Sequence, residues 1–347
     1  MAQEIDITTM LEMMEEGTPV IDVRSPSEFM YASIPGAVSI PLFDDDERAQ
    51  VGTIYKKQSK VKAVQKGLEF VGPKMKDFSK RALALDSQQL IVHCWRGGMR
   101  SGAMSWLFEM LGLTCYRLEG GYKAYRNYVL DFFSQPIRFV VLGGRTGAGK
   151  TDILKQLEAM GEQVLDLEGL ANHKGSAFGS LGESAQPTSE MFDHLIFNVL
   201  RRFDKDRVVW VENESINIGK VFIPQPLWKQ ISQAPIVVVD TEYEVRLARI
   251  MRVYASFPTE LLCEMIKKIQ KRMGYDNAQK AYEACLNGDK QLAARMCLVY
   301  YDKLYDRGLK TNESRDIPIF SVKCDTENVE EVAKKIVSLN IFNNGDQ

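Results

Sequence analysis

A cysteine followed by glycines and arginines is the first group of residues whose types and spacing could do chemistry. It lies at residues 93–101, between an apolar run that predicts a buried strand and a stretch that predicts a helix. Such a loop can curl around the sulfur, so that backbone N–H groups, the helix N-terminus and an arginine stabilise a thiolate or a bound anion. We predict Cys94 as the catalytic residue. Its predicted anion cradle consists of Trp95, Arg96, Gly97, Gly98, Met99 and Arg100.

The alternative interpretation of Cys94 is a buried cysteine at a strand end, which is the usual role of free cysteines. The glycines and arginines around it favour the reactive interpretation, because they permit tight curvature and supply positive charge. Arg96 and Arg100 could instead form structural ion pairs. The other five cysteines have no such surroundings and are interpreted as structural thiols: Cys115, Cys263, Cys285, Cys297 and Cys324.

A second glycine-rich loop has the full pattern G-x4-G-K-T and predicts a phosphate site. It follows the apolar run 138–142 and precedes a helix-periodic stretch, which is the context that this pattern requires. Backbone N–H groups surround the phosphate, and Lys150 reaches its terminal oxygens. Thr151 could ligate Mg²⁺, and nucleotide hydrolysis stays open. The predicted phosphate-binding residues are Gly144, Arg145, Thr146, Gly147, Ala148, Gly149, Lys150 and Thr151.

An acidic residue that would complete a nucleotide-hydrolysing site has three candidates. Asp166, Glu212 and Asp240 each follow an apolar run that predicts a strand. Each could hold a metal ion or could be a strand-end acid in solvent. His173 and His194 are interpreted as structural. No group of residues has the spacing of metal ligands, so we predict no protein metal centre.

Two α/β domains are expected to position these loops. Apolar runs predict strands at 19–23, 90–93, 138–142, 208–212, 236–240 and 317–322. Helical patterns lie between them, notably at 100–111 and over 241–310. Alternation of this kind predicts mainly parallel sheets covered by helices. We expect one domain at 1–133 and a second at 137–347, with a helical C-terminal portion and a seam at Ser134-Gln135-Pro136.

Length and composition agree with this organisation. The chain has 347 residues, which favours two domains, and its 45% hydrophobic and 26% charged residues exclude a disordered chain. Neither a signal peptide nor a membrane span is visible, and the scattered cysteines predict reduced thiols. We therefore expect a cytoplasmic protein without a membrane partner. The net charge of −2 means that nucleic-acid binding would need local basic patches.

The first half resembles rhodanese domains. The resemblance rests on VIDVRSPSEF at 20–29, IPGAVSIP at 34–41 and the loop of Cys94, and it covers about residues 4–130. In that family the cysteine carries a persulfide or a selenium analogue. Here Arg100 follows Cys94 by six positions, a C-x5-R spacing shared with rhodanese-like phosphatases, whose larger loop accepts a phosphate. The longer loop would suit an anion such as selenophosphate.

A rhodanese-like domain followed by a P-loop domain resembles the tRNA 2-selenouridine synthases. Supporting strings are ERAQVGTIYK at 47–56, LDLEGLANHKGSAFG at 165–179 and ESINIG at 214–219. The resemblance implies two steps at the wobble 2-thiouridine of tRNA, first S-geranylation from geranyl diphosphate and then replacement of the geranylthio group by selenium from selenophosphate. It implies that Lys150 and its loop hold the diphosphate. Cys94 would carry selenium or bind selenophosphate, which a supplier protein provides, and no cofactor is bound covalently.

Two basic zones could bind the tRNA backbone. Residues 48–81 contain ten Lys or Arg against two acids, and residues 246–310 contain thirteen against seven. Aromatic residues among them could stack on splayed bases. A basic solvated surface is the alternative for both zones. The predicted tRNA contacts are Arg48, Lys56, Lys57, Lys60, Arg249 and Arg252.

Other functions stay open at this stage. An ATP-dependent sulfurtransferase or a small-molecule kinase would hydrolyse or transfer nucleotide phosphate at the second loop. A non-catalytic RNA-binding adaptor would not need Cys94, and a rhodanese-type phosphatase would use Cys94 on phosphate esters. The intact cysteine loop argues against the adaptor.

Overall fold

The computed structural model describes residues 2–324, 328–339 and 341, and it divides into two compact units. The first unit runs to Phe133 and also includes Asp193–Asn198. The second unit begins at Ser134 and contains the remaining residues. No sequence pattern marks the 193–198 segment as part of the first unit.

The first unit is built on a five-stranded parallel sheet with the order β1-β5-β4-β2-β3. Its strands are short and rich in β-branched residues, which suits a sheet that helices cover on both faces. The strands are β1 (Gln3–Ile5), β2 (Val20–Asp22), β3 (Val38–Ser39), β4 (Gln89–His93) and β5 (Thr114–Leu118).

Seven helices surround this sheet. They are α1 (Ile7–Glu15), α2 (Pro26–Tyr31), α3 (Asp45–Lys57), α4 (Lys60–Val71), α5 (Met75–Leu83), α6 (Met99–Glu109) and α7 (Gly121–Phe132). Local sequence explains their ends. Helix α3 begins with a capping box, in which Asp44 and Glu47 exchange side-chain and backbone hydrogen bonds of 2.8 and 3.0 Å. It ends on Lys56 and Lys57, whose charges favour the helix C-terminus.

The second unit has its own five-stranded parallel sheet, with the order β12-β11-β6-β8-β7, and a separate two-stranded antiparallel ribbon. The phosphate-loop strand β6 lies at the centre of the sheet. The strands are β6 (Phe139–Gly143), β7 (Gln163–Leu165), β8 (Val209–Glu212), β9 (Asn217–Ile218), β10 (Val221–Phe222), β11 (Ile236–Thr241) and β12 (Ile319–Cys324).

Helices of the second unit form two groups. One group packs against the sheet, and the other, α12 to α15, forms a helical layer with a buried core of its own. The helices are α8 (Lys150–Ala159), α9 (Leu167–Ala171), α10 (Ser189–Leu200), α11 (Gln225–Ile231), α12 (Tyr243–Tyr254), α13 (Thr259–Met273), α14 (Tyr275–Leu286), α15 (Lys290–Glu313) and α16 (Val329–Val337). Helix α10 contains the 193–198 segment assigned to the first unit.

The predicted α/β fold is confirmed. Every apolar run predicted as a strand forms one, with ends that differ by at most two residues. Both five-stranded sheets are parallel, and helices fill most of the 241–310 stretch. Among the described residues, no helix is both long and apolar enough to span a membrane.

Candidate active sites

Cys94 is the first residue after β4, and helix α6 begins five residues later, at Met99. The strand therefore delivers the sulfur to the carboxyl edge of the parallel sheet, where ligands of such sheets usually bind. The Cys94 side chain is buried, and its Sγ lies 3.4 Å from Oγ of the fully buried Ser101. Ser101 Oγ also lies 3.0 Å from the Gly98 carbonyl oxygen, to which it donates when the thiol is neutral.

The cysteine loop is held by main-chain contacts from the junction between β5 and α7. The Tyr122 N–H donates to the Cys94 carbonyl at 2.9 Å, and the Lys123 N–H donates to the Trp95 carbonyl at 3.0 Å. Gly97 has φ of +64°, and a Cβ there would lie 2.6 Å from the Leu118 carbonyl oxygen. Gly121 has φ of +60°, and a Cβ there would collide with the Cys94 carbonyl. Glycine is required at both positions because the two backbones touch.

The surroundings of Cys94 lower the pKa of its thiol. Burial raises the pKa of this thiol, but the Ser101 hydroxyl, the Arg100 charge and the backbone N–H groups of Ser101 and Arg96 outweigh burial and lower it. By contrast, burial raises the pKa of Cys115 to about 12. All six cysteines are buried, so exposure does not distinguish Cys94. Its surroundings do, and they are those of a nucleophilic or anion-binding thiol.

The two arginines of the cradle have different surroundings. Arg100 Nη1 forms a 2.8 Å ion pair with Glu28 Oε2, which fixes the guanidinium near the sulfur. Glu28 belongs to α2, and burial tends to raise the pKa of its carboxyl, yet the contacts with Arg100 lower it. Arg96 is exposed and has no side-chain partner in the described part of the chain. It is therefore available to an incoming anion. Arg96 lies in the loop and Arg100 in the first turn of α6, and of these two only Arg100 is ion-paired within the described part of the chain.

A buried ionic layer lies in the same unit, on the residues of the rhodanese-like string. Arg24 is 1% exposed and donates from Nε and Nη2 to Asp22 Oδ2 at 2.9 and 2.6 Å. Its guanidinium stacks on the Tyr122 ring at 3.6 Å. His93 is buried 3.7 Å from Asp22, and burial lowers the pKa of its ring, so it is neutral. Asp22 and Arg24 of the 20–29 string therefore hold the end of β4, which directly precedes Cys94.

A cleft of about 780 Å³ opens over Cys94. It is lined by the cysteine loop on one side and by helices α3 and α4 on the other. Arg48, Lys56 and Lys57 line this cleft together with Tyr55. The structure therefore brings three of the predicted tRNA contacts and the cysteine to one cavity, of a size that is common for ligand sites. Lys60 is exposed on α4 and does not line it.

The second loop connects β6 to α8, as the pattern requires. Lys150 is the first residue of α8, and its Nζ donates to the Gly144 carbonyl at 3.1 Å. Gly147 has φ of +83° and Gly149 has φ of +88°, and neither leaves room for a Cβ. The loop backbone therefore has the curvature that phosphate-binding loops need for convergent N–H groups.

Two arginines of α12 donate hydrogen bonds to main-chain carbonyls of this loop. Arg246 is 3% exposed, donates to the Thr146 carbonyl at 3.1 Å and forms a bidentate pair with Asp302 at 2.8 Å. Arg249 Nη1 donates to the Ala148 carbonyl at 2.8 Å. The structure thus places Arg249, predicted as a tRNA contact, against the phosphate loop. Arg252 is exposed on the same helix, and Arg145 pairs with Asp306 at 2.9 Å.

Two glutamates that the sequence analysis did not single out lie beside Lys150. The Glu168 and Glu214 carboxyls lie within hydrogen-bond distance of each other. Burial raises the pKa of both carboxyls, each further influenced by the other, while Lys150 opposes the shift. Gly175, with φ of +64°, packs directly on the Glu214 carboxylate. Glu168 and Gly175 belong to the string at 165–179, and Glu214 belongs to the string at 214–219. The unusual composition of these two strings was the available signal.

The three acids considered from the sequence have different environments. Glu212 ends β8, is buried, and accepts a 3.0 Å hydrogen bond from the Leu167 N–H. Burial and neighbouring Asp166 raise the pKa of Glu212 well above its usual value. Asp166 caps α9 by accepting from the Gly169 N–H at 2.7 Å, and Asp240 is exposed on β11. No group of three or more His, Cys, Asp or Glu that could hold a metal ion occurs among residues 2–324, 328–339 and 341.

Comparison with known proteins matches both halves of the chain to family models. Residues 137–295 match the tRNA 2-selenouridine synthase AAA domain, and residues 6–128 match the rhodanese-like domain. The match to rhodanese-like domains agrees with the parallel sheet and with the position of Cys94 after β4.

Two similar proteins carry the same name. A tRNA 2-selenouridine synthase of Sulfurovum sp. (strain NBC37-1) is 34% identical over 86% of this chain and 90% of its own. One from Pseudomonas putida (strain GB-1) is 37% identical over 72% of this chain and 68% of its own. Among solved structures, a Clostridium difficile 630 N-terminal domain, from a protein described as ATP/GTP binding, is 42% identical. It covers 37% of this chain and 99% of that chain, with a TM-score of 0.35.

Proposed function

Because the chain belongs to the tRNA 2-selenouridine synthase family, we propose that it converts wobble 2-thiouridine of tRNA to 2-selenouridine by way of an S-geranyl intermediate. The observation that supports this proposal is that one chain contains two loops, each between a strand and a helix, whose backbone and charges suit anions. One is a phosphate loop, and the other is a cysteine loop with an ionisable thiol. The proposed reaction uses two anionic substrates, geranyl diphosphate and selenophosphate.

The first step would take place at the phosphate loop. The sulfur of 2-thiouridine attacks C1 of geranyl diphosphate, the C1–O bond breaks, diphosphate leaves, and the N3 proton of the base is released. Lys150, the N–H groups of residues 147–151 and Arg249 would stabilise the negative charge that develops on the diphosphate. Mg²⁺ could accompany the diphosphate, with the Thr151 hydroxyl as an oxygen ligand of the kind that this ion prefers. No hydrolysis of a nucleotide is required.

The second step would take place in the cleft of Cys94. Selenium from selenophosphate replaces sulfur at C2 of the base, geranyl thiol leaves, water takes up the phosphoryl group, and phosphate is released. Arg100, Arg96 and the backbone N–H groups of the loop are suited to hold the phosphoryl oxygens. Cys94 would either carry the selenium or complete the selenophosphate site, and we propose a separate protein as the source of selenophosphate.

The tRNA would approach the cleft through its basic wall. Arg48, Lys56 and Lys57 line the cleft, and Lys60 follows on the neighbouring helix. These charges suit contacts with phosphates that flank the wobble position. The exposed Tyr55 ring lines the same cleft and offers a stacking surface for a splayed base. Arg252 remains a predicted contact in the second unit.

Mass spectrometry of nucleosides tests the proposed reaction. Transfer RNA that contains 2-thiouridine is incubated with the protein and geranyl diphosphate, and the product is then incubated with the protein and selenophosphate. We expect S-geranyl-2-thiouridine after the first incubation and 2-selenouridine after the second. An unchanged base together with consumption of ATP would instead support the alternative of an ATP-dependent sulfurtransferase or small-molecule kinase.

Two variants separate the steps. Cys94→Ser should lose selenation but keep geranylation, because attack by a thiocarbonyl sulfur needs no protein nucleophile. Lys150→Ala should lose geranylation but should still selenate tRNA that was geranylated beforehand. Loss of both steps in Cys94→Ser that still folds and binds tRNA would contradict this division. Detection of selenium on Cys94 by intact-protein mass spectrometry would identify the thiol as a carrier.

A further inference from the structure

A partly open apolar cavity adjoins the phosphate loop within the second unit. It measures about 80 Å³, and Thr146 of the loop forms part of its wall. Helices α12, α13, α14 and α15 supply most of the rest, with Ile250, Met251, Leu262, Ile266 and Ala294 among the lining residues, and Ser176 and Phe178 of the loop after α9 complete it. The cavity therefore begins where the phosphate site ends and runs into the core of the helical layer.

The few polar groups on this cavity are mostly engaged elsewhere. Lys290 donates to the carbonyls of Ala255 and Phe257 at 2.7 and 2.8 Å. The Tyr254 hydroxyl is hydrogen-bonded to Ser176. The Tyr301 hydroxyl is buried beside the Ala177 backbone. A nucleobase presents several donors and acceptors, so one hydroxyl is too little to satisfy it, and burying the remainder would be unfavourable.

The size of the cavity suits a short hydrocarbon chain. An engineered apolar cavity of about 150 Å³ binds benzene, so a cavity of about 80 Å³ has room for roughly half as much hydrocarbon. An apolar cavity of this kind is poorly hydrated. Binding of an apolar ligand in it is favourable because apolar surface of the ligand is removed from water. The cavity therefore accommodates only the end of a ten-carbon tail, roughly three carbons, while the carbons nearer to C1 lie between the cavity and the loop.

We propose that this cavity binds the end of the hydrocarbon tail of the prenyl diphosphate and that its walls select the length of the chain. This inference rests on the proposed function, which places the diphosphate on the phosphate loop. It adds a second binding determinant on α12 and α15, which the loop pattern does not contain. A ligand with a diphosphate at one end and an apolar chain at the other matches both parts of the site, whereas ATP matches only the loop.

Calorimetric titration of the full chain with inorganic diphosphate, dimethylallyl diphosphate and geranyl diphosphate tests the inference. Ala294 lines the cavity and is partly exposed, so Ala294→Phe fills the cavity from a tolerant helix position. We expect Ala294→Phe to weaken geranyl diphosphate binding at least tenfold and inorganic diphosphate binding less than twofold. The matched control is Val299→Phe on the same helix, which is exposed and does not line the cavity, and it should change neither affinity.

A second pair of variants guards against misfolding of Ala294→Phe. Met251→Trp fills the cavity from α12, and Val253→Trp is its exposed control on that helix. Equal geranyl diphosphate affinity in wild type and in a folded cavity-filling variant would overturn the inference. The Lys150→Ala variant distinguishes failure of this inference from failure of the proposed function. If Lys150→Ala weakens all three ligands while cavity filling weakens none, the loop binds diphosphate and the tail lies elsewhere. If wild type binds no geranyl diphosphate, both proposals fail.

Discussion

Replacement of Ser101 by alanine should raise the pKa of Cys94. The Ser101 hydroxyl lies 3.4 Å from the sulfur inside a fully buried position. Burial raises the pKa of the Cys94 thiol, and the Ser101 hydroxyl is the largest of the contacts that lower it below its usual value. Ser101→Ala leaves burial and Arg100 in place and removes only this donor, so the balance shifts toward the neutral thiol.

The size of the shift follows from the energy of one hydrogen bond. A hydrogen bond to a charged group contributes about 1.5–3 kcal/mol, and one pKa unit corresponds to about 1.4 kcal/mol. Sulfur is a weak acceptor, which favours the lower end of that range. We therefore expect the pKa of Cys94 to rise by about one unit. Below the pKa, the thiolate fraction then falls about tenfold at a given pH.

The assay is the rate of alkylation of Cys94 by iodoacetamide as a function of pH, followed by peptide mass spectrometry. Site-resolved detection excludes the other thiols, and burial raises the pKa of Cys297 to about 12 and that of Cys285 to about 11. Ser105→Ala is the matched control. Ser105 is buried on the same helix, and its hydroxyl has no partner in the described part of the chain. It should leave the alkylation profile unchanged.

An identical pH profile in Ser101→Ala, Ser105→Ala and wild type would refute this reasoning. The Ser101 hydroxyl would then remain directed to the Gly98 carbonyl when the thiol ionises. Stabilisation of the thiolate would in that case come from Arg100 and the backbone N–H groups alone. A rise well above two units would also contradict the argument, because one neutral hydroxyl cannot supply so much energy.

Three further predictions concern stability and the phosphate loop. Gly121→Ala forces a side chain at φ of +60° against the Cys94 carbonyl, and urea unfolding should show a loss of roughly 2–3 kcal/mol. Burial lowers the pKa of His194 to about 4 from 6.5, so the unfolded state binds the proton more tightly. The free energy of unfolding should then decrease by on the order of 2 kcal/mol as pH falls from 6.5 toward 4, and His194→Gln should reduce this dependence. Arg249→Gln should weaken inorganic diphosphate binding about tenfold in calorimetry and leave tRNA binding unchanged, whereas the reverse result would restore Arg249 as a tRNA contact.

The sequence predicts a site most directly where the reactive residue and the strand and helix that position it are adjacent along the chain. Cys94 and Lys150 each sit between a strand and a helix that are continuous with their loop, so a short window contains the whole signal. The hydrophobic period also locates the strands, because strands in parallel sheets are buried on both faces. The strands and helices that flank the two loops are local features and were predicted correctly, whereas the chemical roles of Cys94 and Lys150 stay predictions.

Contacts between distant segments were beyond this reasoning. Arg246 and Arg249 recur at helical spacing, which predicts that they share a face but not what the face meets. The structure shows that this face supports the phosphate loop, about 100 residues earlier in the chain. Glu168 and Glu214 likewise meet only through the fold, and their pairing changes their pKa values. A single sequence contains the period of a helix but not its neighbours.

The main-chain contacts between the cysteine loop and the β5–α7 junction have an evolutionary consequence. Gly97 lies against Leu118, and Gly121 lies against Cys94, with no side chain between the two backbones to absorb a change. A residue gained or lost in the loop would therefore need a matching change in residues 118–121. The two segments should vary together among rhodanese-like proteins whose loops differ in length, so that a graft of either segment alone fails while a graft of both folds.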